Sequence, residues 1–591
     1  MKKILYSIIA IAALFVTASC VERLDIPQKG VTAIENFYQT DDDAEQAMVA
    51  AYDGFVSYVC SQNGGSIYAP FHMAFNCCAD DMYAAGEFFG DNDQFPQLNE
   101  FRHDSDNAVL VNAYKNIFLA MYPCNLVIDH FKEGLPNGGQ TATTKRVVAE
   151  ARVLRAYLEM MLAIGWYNPP LVDHVLTGDS LPYNCDKDPE NPMTHEQLLI
   201  WCAKECEEAA KDLNTRKSTS DKDGVVKVTT GLAYTVAGKA YLFAGKYDDA
   251  KSALKKVIDS KVYALVPTER YAENFHIEGD CNEEKIFEGN IEARGDLWGT
   301  GLIWRGTWME SNVWGWRGDH FVANPVLAYT SIDGWGGCGV PAWFSQAMLE
   351  NDGENSARFQ TCFMPIDKLV YETVYGIDEI DNMTLEQKKT SNKIGISKPL
   401  YGQTYYLPYK QLTAVRDLIS YGNNTRLNNF TIFRYAEVLL MYAEACLQTG
   451  DAASAKTYIN MIQERAGSKT ISASVDMNVL KAEKEYEMWL EGCRWPDMVR
   501  WGDFSRAVNA GKDIPIMYDI VQVNGWAEKD KPTGTKTWQD PGKRFFTVPG
   551  NGPTEAGYTF GFKAKKHEYF PFPGSDVIAK NPNMQQNEGW N

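Results

Sequence analysis

The chain has 591 residues, 45% of them hydrophobic, and a formal net charge of -20 from 57 Lys and Arg against 77 Asp and Glu. That length supports a substantial core. The acidic balance argues against nucleic acid as a partner, since duplex binding runs on cationic neutralisation of phosphates, and against an electrostatic patch for anionic lipid.

The N-terminus decides the compartment. Lys2 and Lys3 precede an almost unbroken apolar run from Ile4 to Val16, then Thr17-Ala18-Ser19 and Cys20. This is the layout of a secretory signal peptide, with an apolar stretch too short to span a bilayer. A cysteine directly after the small residues points to lipoprotein processing: residues 1–19 are removed and Cys20 carries the acyl chains, palmitate among them. Thr17 stands where a lipobox usually has Leu. No later apolar run is long enough to cross a membrane, so the mature domain, 20–591, is expected to be anchored and not to span.

Helical periodicity dominates from about 35 to 265 and returns over about 430–505. Val147, Ala151, Leu154, Leu158, Met161 and Gly165 recur at spacings of three and four, as do Leu198, Leu199, Cys202, Cys206 and Ala209. Two segments share a finer frame. Gly238, Tyr241, Gly245, Tyr247, Ala250, Leu254 and Val257 occupy the positions a tetratricopeptide repeat uses, and Ala443, Gly450, Ala455, Ile459 and Ile462 repeat them. The expected fold is mostly α: a tetratricopeptide-repeat-like helical scaffold in which repeats bury one another's faces.

Between the repeats, about 266–429, the periodicity disappears and Gly, Trp and Asn accumulate. Aromatic content argues against disorder, so this reads as an ordered, loop-rich insert carrying short strands. Long irregular segments inside compact proteins are usually functional. The chain from Asp513 is also irregular. Twelve cysteines follow Cys20 with no CxxC pair, which points away from zinc and to buried thiols for most of them, with disulfides in an oxidising envelope as the alternative for some.

The wording of several segments resembles one family over nearly the full length. These are LDIPQKG just past Cys20, FYQTDDDAEQAMVAAYDGF, AEARVLRAYLEMMLAIGWYNPPLV, FRYAEVLLMYAEACLQTGD with INMIQERAG, EKEYEMWLEGCRWPDMVRWGDF, and the terminal EYFPFPGSDVIAKNPNMQQNEGW. Together they are similar to the SusD/RagB family. Pro496 departs from the pattern by interrupting the RW-x-D element, and the region from about Leu297 to Asn355 matches nothing in it. The resemblance implies a cell-surface, outer-membrane lipoprotein that captures oligosaccharide. It implies delivery to a SusC-like TonB-dependent transporter, over which the protein sits as a lid. The RagB branch implies peptide as an alternative ligand.

A glycan site needs exposed aromatic faces beside convergent polar groups. The insert supplies Trp298, Trp304, Trp308, Trp314 and Trp316 interleaved with Arg305, Glu310, Asn312, Arg317 and Asp319, and Trp335 and Trp343 follow. A second candidate is AFNCCADDMYAAGEFFGDNDQF. There Asp80 and Asp81 resemble a paired-acid position of the family, next to Tyr83, with Phe88, Phe89 and Asn92 close behind; helix capping or solvated charge is the alternative for the aspartates. The ligand is expected between these two segments. The acidic run lacks the Gly and terminal Glu of an EF-hand, which leaves a structural calcium ion unspecified, and no other cofactor is implied. Arg434, Glu437, Glu444, Arg494, Asp497 and Arg500 read as scaffold. No GxSxG, HExxH or Walker-type loop is present, so the expectation is binding without catalysis; a glycoside hydrolase would need two suitably spaced carboxylates.

Overall fold

A computed structural model of the chain describes residues 37–60, 72–291, 312–330, 333–366, 368–375, 396–417, 426–511, 514–517 and 560–590, with 382, 384 and 387. Cys20, Trp298, Trp304 and Trp308 lie outside the described residues.

Helices α1 (Asp41–Phe55), α2 (His72–Cys78), α3 (Gln94–Asn99), α4 (Ala108–Phe131), α5 (Ala142–Trp166), α6 (His195–Ala209), α7 (Thr230–Phe243) and α8 (Tyr247–Asp259) make the first part of the scaffold. Thr40, Thr141 and Thr194 start α1, α5 and α6 by accepting the N–H of the residue three positions on, and that residue's side chain reaches back to the cap. Neighbours pack in series, α1 on α4, α4 on α5, α5 on α6, α6 on α7 and α7 on α8. The periodic residues of α5 are buried as expected, yet so is every residue from Val153 to Trp166. A central helix flanked by α1, α4 and α6 has no solvent face to leave polar.

The two repeat-like hairpins form and stack. Gly245 and Gly450 turn the chain at φ +69° and +81°, a region open to glycine without strain. The second hairpin pairs α11 (Tyr435–Gln448) with α12 (Ala452–Ala466), and α11 lies against α8. At Gly238 a Cβ would sit 2.4 Å from Leu254 Cγ, so the close approach of α7 to α8 requires its absence.

The insert contributes β2 (Lys285–Gly289), β3 (Cys338–Gly339), β4 (Phe363–Pro365), β5 (Leu400–Tyr401), β6 (Tyr406–Pro408) and β7 (Phe430–Arg434). With β1 (Tyr83–Ala84) and β8 (Ile516–Met517) they form four antiparallel pairs, β1–β3, β2–β7, β4–β6 and β5–β8. It also holds helices that the periodicity did not reveal, α9 (Ala342–Asp352) and α10 (Ala357–Cys362). The buried row of α9 is Ser345, Met348, Leu349 and Asp352. Its spacing is helical, but two members are polar, and Asp352 is buried because it pairs with Arg358 at 2.7 Å.

Helices α13 (Met477–Glu487) and α14 (Arg494–Trp501) complete the scaffold. Pro496 is the third residue of α14, in the first turn, where the missing N–H has no intrahelical acceptor to lose. The described C-terminal segment runs back over the end of α5: Phe570 N–H donates to Gly165 O at 2.7 Å and Trp166 Nε1 donates to Pro571 O at 3.0 Å.

Charges of the signature segments are buried in ion networks. Arg434 binds Glu284 at 2.9 Å, Glu487 at 2.6 Å and Glu491 at 2.7 Å, Arg465 joins Glu284 and Glu487, and Arg358 joins Glu483 and Glu487. These cations hold the Glu487 carboxyl well below the usual range against the cost of burial. Arg500 pairs with Glu444 and Asp497, and Lys239 with Glu437.

Candidate functional site

A cleft of about 350 Å³ opens where the end of α2, β1, the start of α9 and the turn after α14 converge. Its lining includes Asp80, Tyr83, Phe101, Trp343, Ser505, Arg506 and Asn509. Asn99 holds one wall: its Nδ2 donates to Cys77 O at 2.9 Å and Met82 O at 3.2 Å, while its Oδ1 accepts from Ala84 N–H at 3.1 Å. The β1–β3 pairing, Tyr83 opposite Gly339, fixes the next wall to the insert. Tyr83 and Trp343 are half-buried, whereas Ser505, Arg506 and Asn509 are exposed at the rim.

The floor is ionic. Asp80 accepts from Arg494 Nε at 2.8 Å and from Arg506 Nε at 2.6 Å, and both arginines also approach Glu485. Burial alone would raise the Asp80 carboxyl; the two guanidiniums pull it below its ordinary value. Asp81 lies behind, 2% exposed, with Oδ2 lacking a hydrogen-bond partner among the described residues. Burial, then the nearby Asp80 and Glu485, push its carboxyl well up. The Arg506 guanidinium carbon sits 3.7 Å from the centre of the Trp343 ring, covering one face.

The two segments singled out in the sequence do meet, at Glu87. Arg317 Nη2 lies 3.3 Å and Lys398 Nζ 3.3 Å from Glu87, and Arg317 also pairs with Asp319 at 2.8 Å. Within these segments the residues are distributed unevenly. Tyr83 lines the cleft. Asp80 lines it too, but its carboxylate is committed to arginines, neither capping a helix nor solvated. Asp81 is buried and does not line it. Asn92 sits at φ +48° on the neighbouring turn, where its amide donates to Asp91 at 3.2 Å. Trp314 and Trp316 are each 3% exposed; Trp316 donates to Pro408 O at 2.7 Å and packs on Tyr329 and Tyr409. Both pack into the core and neither lines the cleft. Asn312 is likewise buried, and Trp335 is half-buried away from the cleft lining.

Arg506 was not singled out by the sequence, because nothing local marks a turn arginine that reaches a ring distant in the chain. Among the described residues no three His, Cys, Asp or Glu cluster to hold a metal ion, and no helix is long and apolar enough to cross a membrane. Burial pushes the thiols of Cys77, Cys124 and Cys362 up to about 12, so they act as small hydrophobes.

The sequence profile of the SusD family matches residues 311–590. A SusD-like protein of Formosa agariphila is 22% identical over 534 residues, covering 84% of this chain and 91% of its own. Among solved structures, surface glycan-binding protein A from Bacteroides thetaiotaomicron in complex with laminarihexaose superposes with a TM-score of 0.67. It is 19% identical and covers 93% of this chain and 100% of its own. Surface glycan-binding protein A from Bacteroides uniformis gives a TM-score of 0.65 at 20% identity, covering 93% and 99%.

Proposed function

This chain belongs to the SusD/RagB family, and on that premise we propose that it captures an oligosaccharide at the cell surface without hydrolysing it. The observation that carries the reading is the cleft itself, where Trp343 and Tyr83 present aromatic surface beside the rim groups Ser505 and Asn509. Sugar rings pack their C–H faces on aromatic rings while their hydroxyls need polar partners. The relative bound to laminarihexaose makes that hexasaccharide the first ligand to test.

Chemistry supports binding over catalysis. A glycosidase needs two carboxylates flanking the scissile bond. Among the described residues lining the cleft Asp80 is the one carboxylate, and two arginines hold it. In this reading Cys20 carries a lipid anchor on the outer membrane and the captured glycan passes to a SusC-like TonB-dependent transporter. A glycan-array screen of the protein lacking Met1 to Cys20 tests the binding claim. Chromatography of the bound glycan tests the second: products whose release one carboxylate substitution abolishes would replace binding with hydrolysis.

A further inference from the structure

Three helices end at a positive φ, and each does so on glycine: α9 at Gly353, α12 at Gly467 and α14 at Gly502. Glycine is the usual residue there, because a side chain would be strained. Helix α5 ends differently. Tyr167 closes it at φ +65° and ψ -81°, the rare, strained form of the γ-turn. Such strain persists only where the surroundings hold it, and it concentrates at ligand sites.

What holds Tyr167 is a small aromatic cluster at the surface. Its ring stacks on His195, the first residue of α6, at 4.7 Å and 21°, and meets Tyr569 of the C-terminal segment at 4.6 Å. His195 Nδ1 donates to the Tyr167 carbonyl O at 2.8 Å, which leaves Nε2 as an acceptor in the neutral ring. His195 and Tyr569 are 5.8 Å apart. Rings sandwiching Tyr167 would stand nearly the sum of the first two distances apart. One face of Tyr167 is therefore covered by neither, and the residue is 39% exposed. Among the described residues His195 Nε2 and the hydroxyls of Tyr167 and Tyr569 have no hydrogen-bond partner. None of the three residues lines the Trp343 cleft.

We propose that Tyr167, with His195 and Tyr569, forms a second glycan-binding platform on which one sugar ring stacks. An open ring face beside free hydroxyl and imidazole groups meets both needs of a sugar, a surface for its C–H face and partners for its hydroxyls. The inference rests on glycan capture as the function of the chain. The strained turn and the stacked imidazole fix the ring before ligand arrives, which lowers the ordering cost of binding. Two sites on one chain give a long glycan a second hold.

Calorimetric titration of laminarihexaose, or of the glycan found on the array, into the protein lacking Met1 to Cys20 counts the sites. The wild type should take up two molecules per chain. Tyr167→Gly should take up one, with the affinity of the cleft unchanged, and Trp343→Ala should weaken one site and leave the other as it is. Glycine suits the backbone angle, so Tyr167→Gly removes the ring and relieves the strain together. Its unfolding midpoint should hold or rise. A ring that only packs would give a lower midpoint and an unchanged count. Should Tyr167→Gly fail to fold, wild-type crystals soaked in the same glycan decide, and sugar density on the open face of Tyr167 supports the platform. Density in the Trp343 cleft alone, one molecule bound by the wild type, or two still bound by Tyr167→Gly overturns it and leaves glycan capture standing; a surface built for a protein contact would give that result. No glycan bound by the wild type removes both readings.

Discussion

Arg506 caps Trp343: its guanidinium carbon lies 3.7 Å from the ring centre while its Nε donates to Asp80. The aromatic platform is therefore covered by a residue that is itself 43% exposed, and a sugar stacking on that face must displace it.

Removing the cap should tighten binding. An exposed cation–π contact contributes about 0.5–1 kcal/mol, so Arg506→Ala should lower the dissociation constant for a stacking glycan roughly two- to fivefold. Stability should change little, because Arg494 still pairs with Asp80. Calorimetric titration checks it, and weaker binding by the variant would mean that Arg506 contacts the ligand instead of covering its platform.

The scaffold arginines should behave differently. Arg434→Ala leaves Glu284, Glu487 and Glu491 short of a buried partner, and breaking such pairs costs about 3–5 kcal/mol. Arg434→Ala and Glu444→Ala should therefore lower the urea midpoint markedly. The folded fraction should bind glycan as the wild type does.

How much of this was legible in the sequence follows from the length of the signal. The hairpins around Gly245 and Gly450 could be read because a repeat frame spans many residues and each position has a packing reason, as at Gly238 against Leu254. The cleft could be read only in part. Tyr83 and Asp80 stood out, but that Asp80 is held by Arg494 and Arg506 depends on residues more than 400 positions away. Trp314 and Trp316 looked like a binding stripe because polar residues interleave them; Trp316 is buried by Tyr329 together with Tyr409 and a carbonyl acceptor at Pro408, the last two distant in sequence.

The His103–His567 pair should contribute stability that is lost as pH drops below 6.5. His103 and His567, with rings 5.5 Å apart, are pushed down to about 3, first by burial, and Lys566 adds repulsion to both. His567 Nδ1 also accepts from Lys563 N–H at 2.9 Å, which requires that nitrogen to be unprotonated. Below pH 6.5 the unfolded chain takes up protons that the folded rings refuse, so stability present above 6.5 is lost progressively toward pH 3. At pH 5 each ring costs roughly 2 kcal/mol. Urea unfolding of the wild type and of His567→Gln at pH 7 and pH 5 isolates it: the wild type should lose stability relative to the variant on going to pH 5.

Anchoring rests on Cys20. If the acyl chains are attached there, Cys20→Ala should move the protein out of the membrane fraction or block signal processing. An unchanged membrane fraction after detergent-free washing would count against a lipid anchor.

The most direct test of the account is calorimetric titration of laminarihexaose, or of a glycan found on the array, into the protein lacking Met1 to Cys20 and into its Trp343→Ala variant. Loss of a stacking ring costs about 1–3 kcal/mol on the scale known for nucleic-acid bases, so the variant should bind about tenfold more weakly or worse, with an unchanged unfolding midpoint. Equal affinity in the two proteins, or no glycan bound by either, would contradict the assignment of the Trp343 cleft as the site of glycan capture.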